Sequence, residues 1–218
     1  MIVRRRGTRP DLKLEKELKL QGHLLVAGVD EAGRGAWAGP VVAAAVVLPF
    51  LNRYRGINDS KLLTPRQRER ILIKIYRLAV DVGIGIVENR ELDSMGVGQA
   101  SYLAMRRAVA NLSIKPSFIL VDGFRVGFSG VPSMGIIDGD QKSFSIAAAS
   151  IVAKVARDRM MDEIDALAPG YGLAVNKGYG TLFHQVRLRE LGISVWHRKS
   201  FQPVQALISA TANLQMQE

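Results

Sequence analysis

The sequence predicts one α/β domain, with strands and helices interleaved along a single chain. Three observations predict it. Apolar runs of strand length (24–30, 40–48, 80–87, 118–121 and 134–137) alternate with longer segments of helical period. No internal repeat, low-complexity tract or Pro/Ser-rich linker divides the chain. The 218 residues are 48% hydrophobic and 23% charged, the composition of a chain that buries a full core.

The elements follow in order. Residues 1–10 are basic, carry Gly7 and Pro10, and read as a flexible arm, leaving 11–218 as the domain. Residues 11–21 set Leu12, Leu14, Leu18 and Leu20 among alternating charges, a short amphipathic helix or turn before Gly22. The runs 24–30 and 40–48 read as buried strands separated by a Gly-rich bend and closed by Pro49. Thr64-Pro65-Arg66-Gln67 is a helix start, with Thr as N-cap, Pro at the first helical position and Gln at the capping-box position. That helix should reach about Leu78, with Ile71, Ile75 and Leu78 on one face. In the strand 80–87, Gly83 and Gly85 suggest a close backbone approach. Residues 97–112 read as helical. The short strand 118–121 delivers Asp122, and 134–137 leads into Asp138-Gly139-Asp140. The longest helical pattern, 143–167, is apolar nearly all round in its first half, so it should be buried across a sheet until Pro169-Gly170 ends it. The loop 176–181 opens a further helix to about Leu191, and 205–218 carries no readable motif.

Charge narrows the partners. The net charge is +10, which favours a polyanion, most commonly nucleic acid. There is no cysteine, which excludes disulfides, thiol nucleophiles and Cys-based zinc sites and suits a reducing cytoplasm. The basic start Met1-Ile2-Val3-Arg4-Arg5-Arg6 has no apolar region after it and does not read as a signal peptide. The longest apolar run, 41–48, is too short to span a bilayer. A soluble, cytoplasmic chain with no membrane partner is expected.

The chemistry-bearing stretch is Asp30-Glu31-Ala32-Gly33-Arg34-Gly35. Acids placed where a strand leaves the core are costly unless a cation sits on them, and hard divalent cations choose carboxylate oxygens. A solvated turn and a tight bend are the plainer reading of these six residues. Two further strands, however, also end in acid, at Asp122 and at Asp138/Asp140. Carboxylates at strand ends can converge at one sheet edge. About four of them suffice to hold two divalent ions that activate water and stabilise the leaving oxygen of a phosphodiester. His23, His184 and His197 lack metal-site spacing and read as surface or core residues. One difficulty stands: neighbours in a regular strand face opposite ways, so Asp30 and Glu31 share a site only if the strand ends or bulges near Gly33 and Gly35.

Several separated motifs carry a resemblance: AGVDEAGRG at 27–35, GPVVAAAV at 39–46, DSK at 59–61, VDG at 121–123, GDQKSFSIAAASIVAKVARD at 139–158, NKGYGT at 176–181 and HRKSFQPV at 197–204. In order and spacing the chain resembles the bacterial ribonucleases HII, the type 2 ribonucleases H, from about residue 10 to 204. The resemblance implies an RNase H-like fold, a mixed central sheet flanked by helices, with a helical C-terminal part from about 170. It implies that Asp30, Glu31, Asp122 and Asp140 are catalytic acids that bind Mn²⁺ or Mg²⁺. It implies that Gly33-Arg34-Gly35 meets the 2′-hydroxyl side of a ribonucleotide and that Tyr179 packs on the sugar beyond it. Lys61, Lys142, Lys177, Arg198 and Lys199 lie in or beside the motifs and are expected to meet phosphates. Lys154, Arg157 and Asp158 read equally as a surface charge network or as support for the acids, and Trp37 and Trp196 as packing residues.

The chain departs from the family pattern at Leu62, where a second lysine often follows DSK, and in Asp138, a fifth acid read as surface or supporting charge. It has no long N-terminal extension like that of the type 3 enzymes. The implied activity is that of a monomeric endoribonuclease. It would cut the RNA strand of RNA–DNA hybrids and nick duplex DNA 5′ to embedded single ribonucleotides, leaving 5′-phosphate and 3′-hydroxyl ends. Two readings compete: another two-metal nuclease on the same fold acting on DNA, and a non-catalytic hybrid-binding module.

Overall fold

The computed structural model describes residues 9–51, 54–124 and 126–215, so the expected arm lies, up to residue 8, outside the described residues. Its elements are α1 (Lys13–Leu20), β1 (Val26–Ala32), β2 (Val41–Val47), α2 (Pro65–Leu78), β3 (Asp81–Val87), α3 (Asn89–Met95), α4 (Val97–Ala110), β4 (Phe118–Asp122), β5 (Ser133–Ile136), α5 (Phe144–Leu167), α6 (Leu173–Asn176), α7 (Leu182–Leu191) and α8 (Gln202–Gln215). The sheet order is β3-β2-β1-β4-β5, with β3, β2 and β1 antiparallel and β1, β4 and β5 parallel. The sheet is therefore mixed. Its three parallel strands deliver their C-terminal ends to one edge.

Strand alternation assigns the two faces. Ala44 and Val46 of β2 pack with Ile71, Leu72 and Ile75 of α2 and with residues 147–153 of α5. Ala43 and Ala45 pack the other way, with Ala27 and Val29 of β1, Ile119 and Val121 of β4, and Ala100, Ala104 and Ala108 of α4. Close approach is built in by glycine. A Cβ at Gly28 would lie 2.1 Å from the Ser145 carbonyl carbon, and Cβ atoms at Gly83 and Gly85 would lie 2.1 and 2.0 Å from the Ala108 and Ala104 oxygens. The close approach expected at Gly83 and Gly85 is thus that of α4 onto β3.

Helix starts follow local chemistry. Thr64 caps α2 in a full capping box with Gln67. Ser143 caps α5, its Oγ accepting from Ile146 N at 3.2 Å. Glu15 of α1 reinforces that N-terminus, accepting from Ser143 Oγ at 2.6 Å and from Ser145 N at 3.1 Å. On α2 the buried residues are Ile71, Leu72 and Ile75, whereas Leu78 is exposed. The short helix α3 is an element the periodicity did not announce. Beyond α5, the helices α6 to α8 pack on its second half through Met161, Ile164, Ala168, Leu173, Leu188 and Val204.

Candidate active site

Parallel register brings the first acids together. Val29 pairs with Val121, so Asp30 and Asp122 follow side by side at the ends of β1 and β4, on the α5 face. The strand β1 stays regular through Ala32, in register with β2 at Asp30↔Ala44, Glu31↔Ala43 and Ala32↔Val42. It ends before Gly33 without a bulge. Glu31 accordingly points to the α4 face, yet β4 stops at Asp122, and Glu31 reaches past that end. Asp30, Glu31 and Asp122 line one cleft of about 270 Å³ with Gly33, Arg34, Gly35, Ser60, Lys61, Ser150, Lys154 and Tyr179. The end of β4 removes the wall that would have separated them.

Asp140 sits one step back. It lies in the short 3-10 turn Gly139–Gln141 and is 1% exposed, whereas Asp138 is exposed. Gly139 N donates to Asp122 Oδ1 at 2.6 Å, which ties this turn to the β4 end. Lys61 Nζ donates to Asp140 Oδ2 at 3.1 Å. Among the described residues no three His, Asp or Glu side chains form a ready coordination shell as they stand.

The acids are held under electrostatic load. Burial, then the neighbouring charges of Glu31 and Asp122, push the Asp30 carboxyl well above the usual range. Burial also raises Glu31, with Asp122 adding to it and Arg34 opposing. Burial raises Asp140, against the pull of Lys61. A set of buried, mutually repelling carboxylates is the donor chemistry of a hard-cation site.

The loop after β1 is fastened from below by two arginines. Its carbonyls leave the sheet without strand partners, and buried carbonyls need donors. Arg198, 0% exposed, donates to the oxygens of Arg34 (3.0 Å), Gly39 (2.9 Å) and Pro40 (3.0 Å). Arg157, also 0% exposed, donates to Ala38 (3.1 Å), Pro40 (2.9 Å) and Lys177 (2.9 Å). Gly33 sits on this layer at φ +90, where an added Cβ would fall 1.8 Å from Arg157 Nε. Arg157 also lies 5.7 Å from the centroid of the Tyr179 ring. Gly35 faces outward, and its Cβ would lie 4.0 Å from Tyr179 Cε1. The loop backbone and the tyrosine ring therefore stand side by side on the cleft wall.

A buried imidazole pair holds Tyr179 from the other side. His184 Nδ1 lies 3.0 Å from the Tyr179 carbonyl oxygen, His184 Nε2 lies 3.0 Å from His197 Nε2, and Ser194 N donates to His197 Nδ1 at 2.9 Å. A carbonyl only accepts, so His184 carries its proton on Nδ1 and His197 carries its own on Nε2. Both residues are core histidines, as expected for them.

A family model described as Ribonuclease HII matches residues 27–204. The Ribonuclease HII of Desulfitobacterium hafniense (strain Y51) is 50% identical over 194 residues, which are 89% of this chain and 75% of that one. The Ribonuclease HII of Dehalococcoides mccartyi (strain BAV1) is 48% identical over 204 residues, 91% of this chain and 95% of that one. The crystal structure of the ribonuclease H2 from Pyrococcus horikoshii OT3 is similar at a TM-score of 0.76 and 27% identity, covering 86% of this chain and 99% of that one. The chain belongs to the ribonuclease HII family. Its fold is RNase H-like, and it is a ribonuclease H, an endonuclease acting on the RNA strand of RNA–DNA hybrids. Among the described residues no helix is long and apolar enough to cross a membrane.

In this ribonuclease HII the basic residues expected at phosphates separate into kinds. Lys61 lines the cleft. Lys142 is exposed and donates to the Ile137 oxygen at 2.7 Å, and Lys199 is exposed. Lys177 is turned inward, donating to the Asp158 oxygen at 3.1 Å and paired with Asp162. Arg198 does not reach the surface, because three carbonyls take its guanidinium. Arg157 belongs with it, and Lys154 with Asp158 forms an ion pair at the cleft wall. Sequence reading left open what Arg157 does and placed Arg198 among phosphate contacts. The available signal was Arg157 falling among the apolar positions of α5, where a charge needs buried partners. Trp37 and Trp196 pack against the C-terminal cluster.

Proposed function

We propose that this ribonuclease HII nicks duplex DNA on the 5′ side of a single embedded ribonucleotide, as well as cutting hybrids, and that it does so by two-metal-ion catalysis. The observation that carries the reading is that the loaded acids share one cleft with the Gly33-Arg34-Gly35 backbone and the Tyr179 ring. The 2′-hydroxyl is the local group that distinguishes RNA from DNA. Glycine backbone approaches it without a side chain in the way. The Tyr179 face packs better on a following deoxyribose than on a sugar bearing a second 2′-hydroxyl, which favours an RNA-to-DNA junction over continuous RNA.

Asp30, Glu31, Asp122 and Asp140 are the residues that would hold Mg²⁺ or Mn²⁺, and their burial and mutual repulsion fit that role. Ions bound there supply the acidity that activates water and stabilises the leaving 3′-oxygen. The chain's own contribution is positioning. Gly33, Arg34 and Gly35 set the ribonucleotide, Tyr179 sets its 3′ neighbour, and Lys61 together with the exposed Lys142 and Lys199 offers charge to phosphates. Action as a monomer is part of the same reading, and the cysteine-free sequence suits the cytoplasm.

The test uses all-DNA duplex, duplex with one ribonucleotide, and RNA–DNA hybrid, each with Mg²⁺, Mn²⁺ or EDTA. Metal-dependent cutting 5′ to the lone ribonucleotide, with all-DNA intact and 5′-phosphate products, is expected. Cutting of all-DNA would reject the ribose reading, and cutting in EDTA would reject the metal reading.

A further inference from the structure

On the α4 side of Glu31 lies a second, smaller hollow of about 100 Å³, lined by Glu31, Arg34, Ser101, Tyr102, Met105, Asp122, Gly123 and Phe124. It shares Glu31, Arg34 and Asp122 with the main cleft, so the acids stand between two openings. Tyr179 stands on one side of them and Phe124 on the other. Phe124 is 72% exposed and stands at the mouth of this hollow, in the segment that leaves the sheet edge. Within the hollow, Ser101 is 1% exposed and its Oγ has no hydrogen-bond partner. A helical serine ordinarily satisfies itself on the carbonyl a turn back, and leaving a buried hydroxyl unpaired is costly. Both residues line the same hollow, and the unpaired hydroxyl is left unexplained by the fold.

The polarity of the strand follows from the proposed function, on which this inference rests. If the ribonucleotide sits on Gly33–Gly35 and its 3′ neighbour on Tyr179, the strand continues across the acids to the nucleotide on the 5′ side of the scissile phosphate. We propose that the Phe124 hollow seats that 5′ nucleotide, its base stacked on the Phe124 ring and a sugar or phosphate oxygen on the Ser101 hydroxyl. The hollow is too small for a whole nucleotide but admits a sugar edge, and the exposed ring at its mouth supplies a stacking platform. Base–aromatic stacking is tolerant of sequence because every base has a π-face. The site therefore reads position without reading sequence.

The test pairs a substitution with a change in the substrate. Duplexes carry one ribonucleotide, preceded on the 5′ side by an ordinary nucleotide or by an abasic tetrahydrofuran, and kcat/KM is measured for the wild type, Phe124→Ala and Phe124→Tyr. Stacking predicts a loss of about 10-fold for Phe124→Ala on the ordinary substrate, carried by KM. It predicts a similar loss for the wild type on the abasic substrate, little further loss when both changes are combined, and rescue by Phe124→Tyr. Losses that multiply, or a Phe124→Ala enzyme indistinguishable from wild type, would overturn the proposal. Ser101→Ala should keep or raise the melting temperature while lowering kcat/KM; an unchanged rate would overturn the Ser101 contact. A wild type that fails to cut 5′ of the ribonucleotide would instead sink the parent reading.

Discussion

Lys61 Nζ stands 3.1 Å from Asp140 Oδ2 and joins the 3-10 turn Ser60–Leu62 to the turn that precedes α5. The lysine side chain is 75% exposed and the aspartate 2%. An ammonium in that position occupies a carboxylate that the proposed mechanism assigns to a metal. With its ammonium end exposed and screened by solvent, a pair of this kind contributes about 1 kcal/mol.

Lys61→Met should therefore tighten the response to Mg²⁺ modestly, by up to about fivefold in half-saturating concentration. The same variant should raise KM for duplex, because a cleft cation is lost. Mg²⁺ titration of the cleavage rate reads both effects, and a weaker Mg²⁺ response would show that Lys61 supports the ion site instead of competing with it.

Asp30→Asn separates chemistry from stability. Cleavage should disappear while duplex binding remains. Asp30 is raised in the folded state by burial and by Glu31 and Asp122, so the native protein binds that proton more tightly than the unfolded chain. Its charged form thus lowers stability above the ordinary carboxylate range. The variant should melt higher than wild type in metal-free buffer at pH 7, on the order of a few degrees. A lower melting temperature would mean the carboxylate holds the fold together.

The two glycines around Arg34 should fail differently. At Gly33 an added methyl meets Arg157 at 1.8 Å and φ is +90, so Gly33→Ala should cost more than about 1 kcal/mol in denaturant unfolding. At Gly35 the methyl finds only Tyr179, 4.0 Å away. Gly35→Ala should leave stability within about 0.5 kcal/mol yet lose cleavage at embedded ribonucleotides, since a methyl would project into the cleft where glycine backbone is to meet the sugar. Retained cleavage would show that the sugar lies elsewhere.

Acid should loosen the Tyr179 support. Burial, then the neighbouring His184, hold the His197 imidazole down at about 4 against an ordinary 6.5. The unfolded chain takes up this proton first, so stability present above pH 6.5 is lost progressively as pH falls toward 4. The loss is on the order of 3 kcal/mol. Urea midpoints of the wild type at pH 7.5 and 4.5 should differ by more than those of His197→Gln; equal differences would reject the assignment.

Most of the scaffold was legible. Strand-length apolar runs, the Thr64 to Gln67 capping box and the all-round apolar start of α5 each report local physics, and each appears where local physics puts it. The acids at 30, 31 and 122 were legible because a charge at the end of a buried run is a local anomaly. The short α3, between β3 and α4, and the burial of Leu72 in place of Leu78 were not, because short helices and exact facing depend on what packs against them.

The chain alone determined the element types, the charge that suits a polyanion, and the motifs that mark the ribonuclease HII family, since periodicity, capping and composition act over a few residues. Only the tertiary structure decided how Glu31 joins Asp30 without a bulge. The answer depends on where β4 stops. It also decided that Arg198, far along the chain, turns inward with Arg157 onto the loop carbonyls instead of outward to phosphate. A guanidinium goes where unsatisfied acceptors are, and those acceptors exist only once the loop after β1 has been folded over it.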